Sequence, residues 1–523
     1  MRRVVFQDTD HSRKLLLRIY GPQVEHLIDR DNELMILRRL AQKQIGPILL
    51  GTFTNGRFEL YFEARTLTPK DLRQPPISEQ IAKRMRELHD GIELLPAERE
   101  AGAFVWQNWD KWKERCEEVI TWLDEEITAG NQGPAQSQGD QWKKRGLVCG
   151  VEWYVFRQAV RQYRDWLAGK YGGEERIKEE LVFAHNDTQY GNLLRMDPSG
   201  ESPLLLPQNE HKRLKVIDFE YANANVAGLE FANHFTEWCY DYHDADQSYA
   251  LHETWYPTVE EQRRFVRAYV QHTPPIQLRR PTISRGASST TTLGGGIGGG
   301  GSTNSLSQFI LDSRGGGAGA PSTSSSSYLE QERQREEGVE AEMERLLQET
   351  RLWRMANSAQ WVAWGIVQAK VSGMEEALAA RKRQKDVTGG SGLGEVNGIG
   401  GGMKDDEDEE LDDDDDEDVG DGDGDGDDRR SEKEKKKKKQ GKGKALVEAD
   451  GKDDANADAD AKGDDGNGNG TDGTDDDDEE AFDYLAYAQE RALLFWGDAL
   501  QVGIVRQEEL PEELLQKVKK VAY

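Results

Sequence analysis

Residues 183–194 read FAHNDTQYGNLL, and residues 214–223, after a polar stretch, read LKVIDFEYAN. Short apolar strand signals alternate here with polar loops, so His185, Asp187 and Asn192 fall on one tight turn. Asp218 closes the last apolar run, 31 residues beyond Asp187. An HND triplet alone could cap a helix, and an IDFE alone could end a buried strand. In this order the two segments supply a carboxylate able to receive a hydroxyl proton and, further on, the hard oxygen ligands that magnesium prefers. Asp187 reads as the base, Asn192 as an amide ligand and Asp218 as the main metal carboxylate.

Outside these segments the composition divides the chain. It has 523 residues and a formal net charge of −30. Residues 401–480 hold 13 lysines and arginines against 35 aspartates and glutamates, a net of −22, so the other 443 residues carry only −8. The acidity belongs to one segment and says nothing about a substrate. Residues 385–480 have almost no apolar side chains, cannot offset the entropy of ordering, and are expected to form a disordered insert. Residues 272–328, rich in Gly, Ser and Thr, are expected to form a second disordered segment, a flexible linker.

The VGDGDGDGDD run lacks the terminal glutamate of a calcium loop, and the lysine run beside it is embedded in excess acid, so no nucleic-acid partner is expected. Cys116, Cys149 and Cys239 show no metal-ligand spacing, which fits a reduced, cytoplasmic protein. No run approaches the roughly 18 apolar residues of a membrane span. The opening MRRVVFQDTD has no signal-peptide core, and no stable membrane insertion is expected.

The first 62 residues alternate strand and helix signals: KLLLRIYG as a strand, HLIDRDNELMILRRLAQK with helical spacing, and PILLGTFTNGRFELYF as two strands joined at Asn55-Gly56. They are expected to form a small nucleotide-binding lobe. These residues resemble the small lobe of a kinase, and the resemblance implies that Arg18, on its strand, takes the place of the phosphate-contacting lysine, with Glu33 on the helix as its candidate partner. Residues 63–523 are mostly helical by period, with apolar positions three and four apart in SEQIAKRMRELH, NWDKWKERCEEVITWLDEEI and WYVFRQAVRQYRDWLA. The expected fold is α+β, a two-lobe arrangement with a mostly helical large lobe from which the two low-complexity segments loop out; such insertions cost little closure entropy.

With LLLRIYGP, DRDNELMIL, GPILLGTFTNGRFE, HNDTQYGNLL, VIDFEYANAN, ANHFTEWCYDY, WVAWGIVQAK and DYLAYAQER in this order, the chain resembles the choline/ethanolamine kinase family, and more particularly its fungal choline kinases. The resemblance implies a protein-kinase-like fold and phosphorylation of choline by ATP with Mg2+, giving phosphocholine for phosphatidylcholine synthesis. By motif it implies Asp187 as the catalytic carboxylate, Asn192 and Asp218 as magnesium ligands with Glu220 joining a second metal, and Gln189 as a positioning residue beside the nucleotide. For the acceptor it implies Tyr221, Glu237, Tyr242, Phe482 and Tyr487, the last two from the final helix. The residues agree: a quaternary ammonium offers no strong hydrogen-bond donor, so aromatic faces must recognise it, and Trp361 and Trp364 share a helix face.

The sequence departs from the family pattern in three places. Members carry a glycine-containing loop before the LLLRIYG strand, whereas here the first glycine is Gly21, so the small lobe is expected to be truncated at its N-terminus. The family aspartate in GLEFANHF is Glu230, and the hinge reads ELYF rather than EQF. Two alternatives stand beside choline phosphorylation: an ethanolamine kinase, and an impaired pseudokinase that binds without catalysis. Family members are often dimers, so a homodimer is an option the sequence leaves open.

Overall fold

The computed structural model describes residues 2–7, 12–20, 30–43, 45–130, 141–198, 200–274, 324–389 and 482–521. Four strands, β1 (Arg2–Gln7), β2 (Ser12–Ile19), β3 (Leu49–Phe53) and β4 (Gly56–Leu60), form an antiparallel sheet in the order β1-β2-β4-β3, while α1 (Arg30–Gln42) follows β2 in the chain and packs beside β3. In α1 the buried positions Glu33, Ile36, Leu37 and Leu40 fall on one face. Gly56, expected in the β3–β4 turn, is instead the first residue of β4; the turn is Thr54-Asn55. A Cβ at Gly56 would lie 2.4 Å from the Arg18 carbonyl oxygen, so the close approach of β2 requires glycine there. The β2–β4 register sets Arg18 opposite Arg57 and Leu16 opposite Glu59. Arg18, Arg57 and Glu59 therefore share one face of the sheet.

After Tyr61 and Phe62 the chain enters β5 (Ala64–Thr66), which joins β7 (Leu193–Met196) and β8 (Leu214–Val216) in a three-stranded sheet; β6 (Val182–Ala184) pairs with β9 (Asn223–Asn225). These short ladders hold the two decisive segments side by side. Around them lie α2 (Pro75–Gly91), α3 (Phe104–Gly130), α4 (Trp153–Tyr171), α5 (Ala227–Glu237), α6 (Val259–Gln271), α7 (Ser324–Gln368) and α8 (Tyr484–Val502). Proline opens α2, where its missing N–H is not needed, and Gly172 ends α4 in the left-handed conformation. This is the two-lobe, protein-kinase-like α+β fold expected from the sequence.

The axis of the large lobe is α7. Every residue from Trp353 to Ala363 is buried, because α3, α5, α6 and α8 pack around the helix. At Gly365 a Cβ would lie 2.9 Å from the Tyr484 carbonyl oxygen, so glycine lets α8 approach the part of α7 that carries Trp361 and Trp364. The same contact buries an Arg354–Asp498 pair, with Nε 2.8 Å from Oδ2. The expected linker and acidic insert lie mostly outside the described residues, but their limits shift. Residues 324–328 are the start of α7, and 385–389 end a helix, Met374–Gly389. The serines at 324–327 have indifferent helix propensity and read as linker, but they extend a helix whose later turns are fixed by packing.

Candidate active site

The loop after β6 is held from below. Glu230 of α5 accepts the His185 backbone N–H at 3.2 Å on both carboxylate oxygens and makes a short contact with His89 Nε2, while His89 Nδ1 meets the Tyr269 hydroxyl at 2.8 Å. Glu230, His89 and His185 are all fully buried. Glu230, where the family pattern was expected to have aspartate, thus braces the loop that carries Asp187. Burial lowers the His185 pKa, and the neutral ring fits its contacts: Nε2 donates to the Ile217 carbonyl at 2.9 Å and Nδ1 accepts from the Asp187 N–H at 3.3 Å. The ring also packs on Phe219, with centroids 4.6 Å apart, so the loop and the IDFE segment are locked together.

Among the described residues, two outside glycine take positive φ, Asn186 and Asp218, both at 66°. Asparagine and aspartate tolerate this region better than other side chains. Asn186 is fixed by its amide, which donates to the Tyr221 carbonyl at 2.9 Å and accepts from Asn225 at 2.7 Å. Asn192 donates to Asp187 Oδ2 at 2.8 Å and to the Asp187 carbonyl at 3.0 Å, leaving its own carbonyl oxygen as an acceptor for a cation. Gln189 folds back onto its own loop and accepts from the Gly191 N–H at 3.2 Å, which is a positioning contact. Burial pushes the Asp187 carboxyl well above the usual range, and Glu237, Asp218 and Glu220 push it further. Glu220 rises to about 7, through burial first and then Asp218 and Glu33.

The pairing of Arg18 with Glu33 does not form. Arg18 Nη1 donates to Asp218 Oδ1 at 2.7 Å, and its Nε lies 3.9 Å from Glu59. Glu33 instead meets Arg57 at 2.8 Å and Arg30 at 2.9 Å. The register explains the exchange. Arg18 and Arg57 stand opposite each other, a repulsive placement unless carboxylates separate them, and α1 delivers Glu33 to Arg57. Arg57 reaches Glu59 at 2.6 Å and Arg30 approaches Glu220 at 3.8 Å. Alternating charges therefore run from Asp218 through the small lobe and back to Glu220.

Beside this polar face stands an aromatic cluster. Trp364 Nε1 donates to the Tyr221 hydroxyl at 2.8 Å, and the Trp364 ring meets Trp361, Tyr484 and Tyr487 with centroids 5.3, 5.5 and 5.7 Å apart. Phe482 lies 5.7 Å from Tyr487 and 6.1 Å from Tyr242. Phe482 precedes α8 rather than lying on it, since the helix is capped by Asp483. Trp361 is buried and spends its indole N–H on Asn233, so it backs the cluster, whereas Trp364 is part-exposed. Glu237 is no isolated anion: it accepts from the Tyr242 hydroxyl at 2.7 Å and from Arg491 in a buried contact. Arg491 also stacks 4.8 Å from the Tyr240 ring centroid. Tyr240, Tyr484 and Arg491 had no part in the sequence reading; the DYLAYAQER stretch carried two of them as bystanders.

All the expected site residues thus gather at two adjoining faces, with Arg18 and Glu33 on separate partners. Curated relatives are similar over about half of this chain. The choline kinase of Saccharomyces cerevisiae is 38% identical over 292 residues, covering 49% of this chain and 48% of that protein. The ethanolamine kinase of the same yeast is 31% identical over 271 residues, covering 49% of this chain and 47% of that one. The chain spans about half the length of these curated relatives. A solved choline kinase from Cryptosporidium parvum aligns over 74% of this chain and 88% of its own, with 20% identity and a TM-score of 0.42. The family model described as choline/ethanolamine kinase matches residues 1–496, and the chain belongs to that family.

Proposed function

We propose that this chain transfers the terminal phosphoryl group of ATP to the hydroxyl of choline, giving phosphocholine for the CDP-choline route to phosphatidylcholine. The observation that carries the reading is the junction of Asp187 with the aromatic cluster: Asn186, next to Asp187, donates to the Tyr221 carbonyl at 2.9 Å, and the Tyr221 hydroxyl accepts from Trp364 at 2.8 Å. A trimethylammonium cannot donate strong hydrogen bonds, and the faces of Trp364, Tyr487, Phe482 and Tyr242 suit it. With its cationic head there, the acceptor's hydroxyl is directed toward Asp187.

The donors facing this point, the Asn192 amide oxygen and the Asp218 and Glu220 carboxylates, are all hard oxygens and fit magnesium. Held by Asn192, Asp218 and Glu220, Mg2+ would supply positive charge against the negative charge that develops during phosphoryl transfer. Asp187 takes the hydroxyl proton. Asn192 fixes its orientation through the 2.8 Å contact. Arg18, 2.7 Å from Asp218, lies where phosphate oxygens would approach the metal carboxylate. The ethanolamine kinase relative makes the primary amine the natural competitor. Product formation from choline and ethanolamine at equal concentration, followed by 31P NMR with Mg-ATP, tests the reading. Higher turnover per unit concentration on choline is expected; a preference for ethanolamine would reverse the assignment.

A further inference from the structure

Away from the catalytic loop, three elements bring one carboxylate and two imidazoles together. Glu87 comes from α2, His211 from the helical turn Pro207–Arg213, and His272 from the end of α6. Both rings aim Nε2 at the same oxygen, Glu87 Oε1, at 2.9 Å for His211 and 3.4 Å for His272. The three donor atoms lie within 4.8 Å of one another, and the rings are edge-to-face with centroids 4.9 Å apart. Glu87 and His211 are buried, while His272 borders a cavity of about 450 Å3 lined by Glu79, Lys83, Arg264 and Gln271 among others. Nothing in the phosphoryl-transfer geometry uses these three side chains.

We propose that Glu87, His211 and His272 form a binding site for one divalent transition-metal ion, with Zn2+ the best match. Two imidazoles and one carboxylate, leaving a fourth position open, are a recurrent zinc ligand set. Imidazole ligands select such ions over magnesium and calcium, which take oxygen. Arg84 occupies the other Glu87 oxygen in a short contact, so the carboxylate binds through Oε1 alone. The positive charges of Arg84 and Lys215 oppose the cation, so the ion is held more weakly than the same three ligands would hold it without them. Each ring now points Nε2 at the carboxylate; on binding, that nitrogen turns its lone pair to the metal and the proton resides on Nδ1, the cavity beside His272 giving the route of entry. The turn that holds His211 runs directly into β8, at whose end stands Asp218, so the ion would tie the metal-loop strand to α2 and α6.

Cobalt substitution tests this on the full chain, because Co2+ in a four-coordinate nitrogen and oxygen site absorbs intensely in the visible while octahedral Co2+ on carboxylates does not. At pH 7.5, one equivalent of Co2+ is expected to give intense bands that one equivalent of Zn2+ removes. His272→Gln, at a part-exposed position, is expected to lose the bands, and Glu87→Gln likewise. Weak octahedral absorption from the acidic segment 401–480 is expected to persist in every variant. In parallel, Zn2+ is expected to raise the melting temperature of the parent chain, and His272→Gln to lose that increment while any effect of Mg2+ at Asn192, Asp218 and Glu220 is unchanged. Absence of intense bands in the parent, or identical spectra in the parent and His272→Gln, would overturn the proposal.

Discussion

Replacing Glu230 with alanine separates a brace from a catalyst. The carboxylate holds two buried donors, the His185 N–H at 3.2 Å and His89 Nε2, and all three residues are shielded from water. Alanine leaves both donors without a partner. At roughly 1–3 kcal/mol for each orphaned buried group the loss is about 2–6 kcal/mol of stability. Glutamine keeps the shape and one acceptor oxygen. If its carbonyl faces His185, its amide meets His89, whose ring can move its proton to Nδ1 and donate to the Tyr269 hydroxyl; the expected loss is then about 1–2 kcal/mol. Because the same contacts set the height of the Asp187 loop, a shift of about 1 Å there would lower kcat on the order of 100-fold. The aromatic cluster does not touch Glu230, so KM for choline should change little. Urea unfolding followed by tryptophan fluorescence gives the stability, and initial rates give the kinetic split. An alanine variant within about 0.5 kcal/mol of the parent, the range of an ordinary surface change, with unchanged kcat, would refute the bracing argument.

Other perturbations follow from the same geometry. Trp364→Ala removes the part-exposed face of the cluster; a cation–π contact of about 0.5–2 kcal/mol predicts a rise in choline KM of roughly 2- to 30-fold with ATP KM unchanged, and equal changes in both would place Trp364 in the core instead. Arg491→Leu leaves Glu237 buried without its cation, so thermal and urea unfolding should register a loss of about 3–5 kcal/mol. Glu220 has a folded pKa near 7, above its ordinary value, so the native state binds the extra proton. Its contribution to stability is fully present below the unfolded pKa of about 4.3 and is lost as pH rises toward 7. Glu220→Gln should therefore flatten that part of the stability profile, and an unchanged slope between pH 4.5 and 7 would count against the assignment.

The half of the candidate site built on the Asp187 loop was legible as one cluster because it is local. His185, Asp187 and Asn192 lie on one loop, and the spacing to Asp218 only has to cross two short strands. The small-lobe pairing was not, because it depends on register: whether Arg18 or Arg57 receives Glu33 is decided by which residues of β2 and β4 stand opposite and by where α1 docks. Gly56 shows the same limit, since Asn-Gly signals a turn in sequence, yet the glycine serves the approach of the Arg18 carbonyl one residue later. The tryptophan pair was recognised by its helical spacing, but the division of labour between buried Trp361 and part-exposed Trp364 comes from Asn233 and Tyr221, more than 100 residues away in the chain. Arg491 and Tyr240 escaped notice for a related reason. An arginine inside an aromatic cluster looks like a surface charge until the fold buries it against Glu237.

The central claim is that Asp187, braced by Asn192 and Glu230, is the base for phosphoryl transfer to a quaternary ammonium alcohol. The most direct measurement follows labelled phosphate from the γ position of Mg-ATP to choline, with the parent chain and with Asp187→Asn. Phosphocholine formation by the parent, reduced on the order of 100-fold to 10,000-fold in the variant while choline still shifts the melting temperature of both, is the expected result. Equal transfer by the two chains would contradict the role of Asp187. Choline binding without transfer by either would contradict catalysis itself.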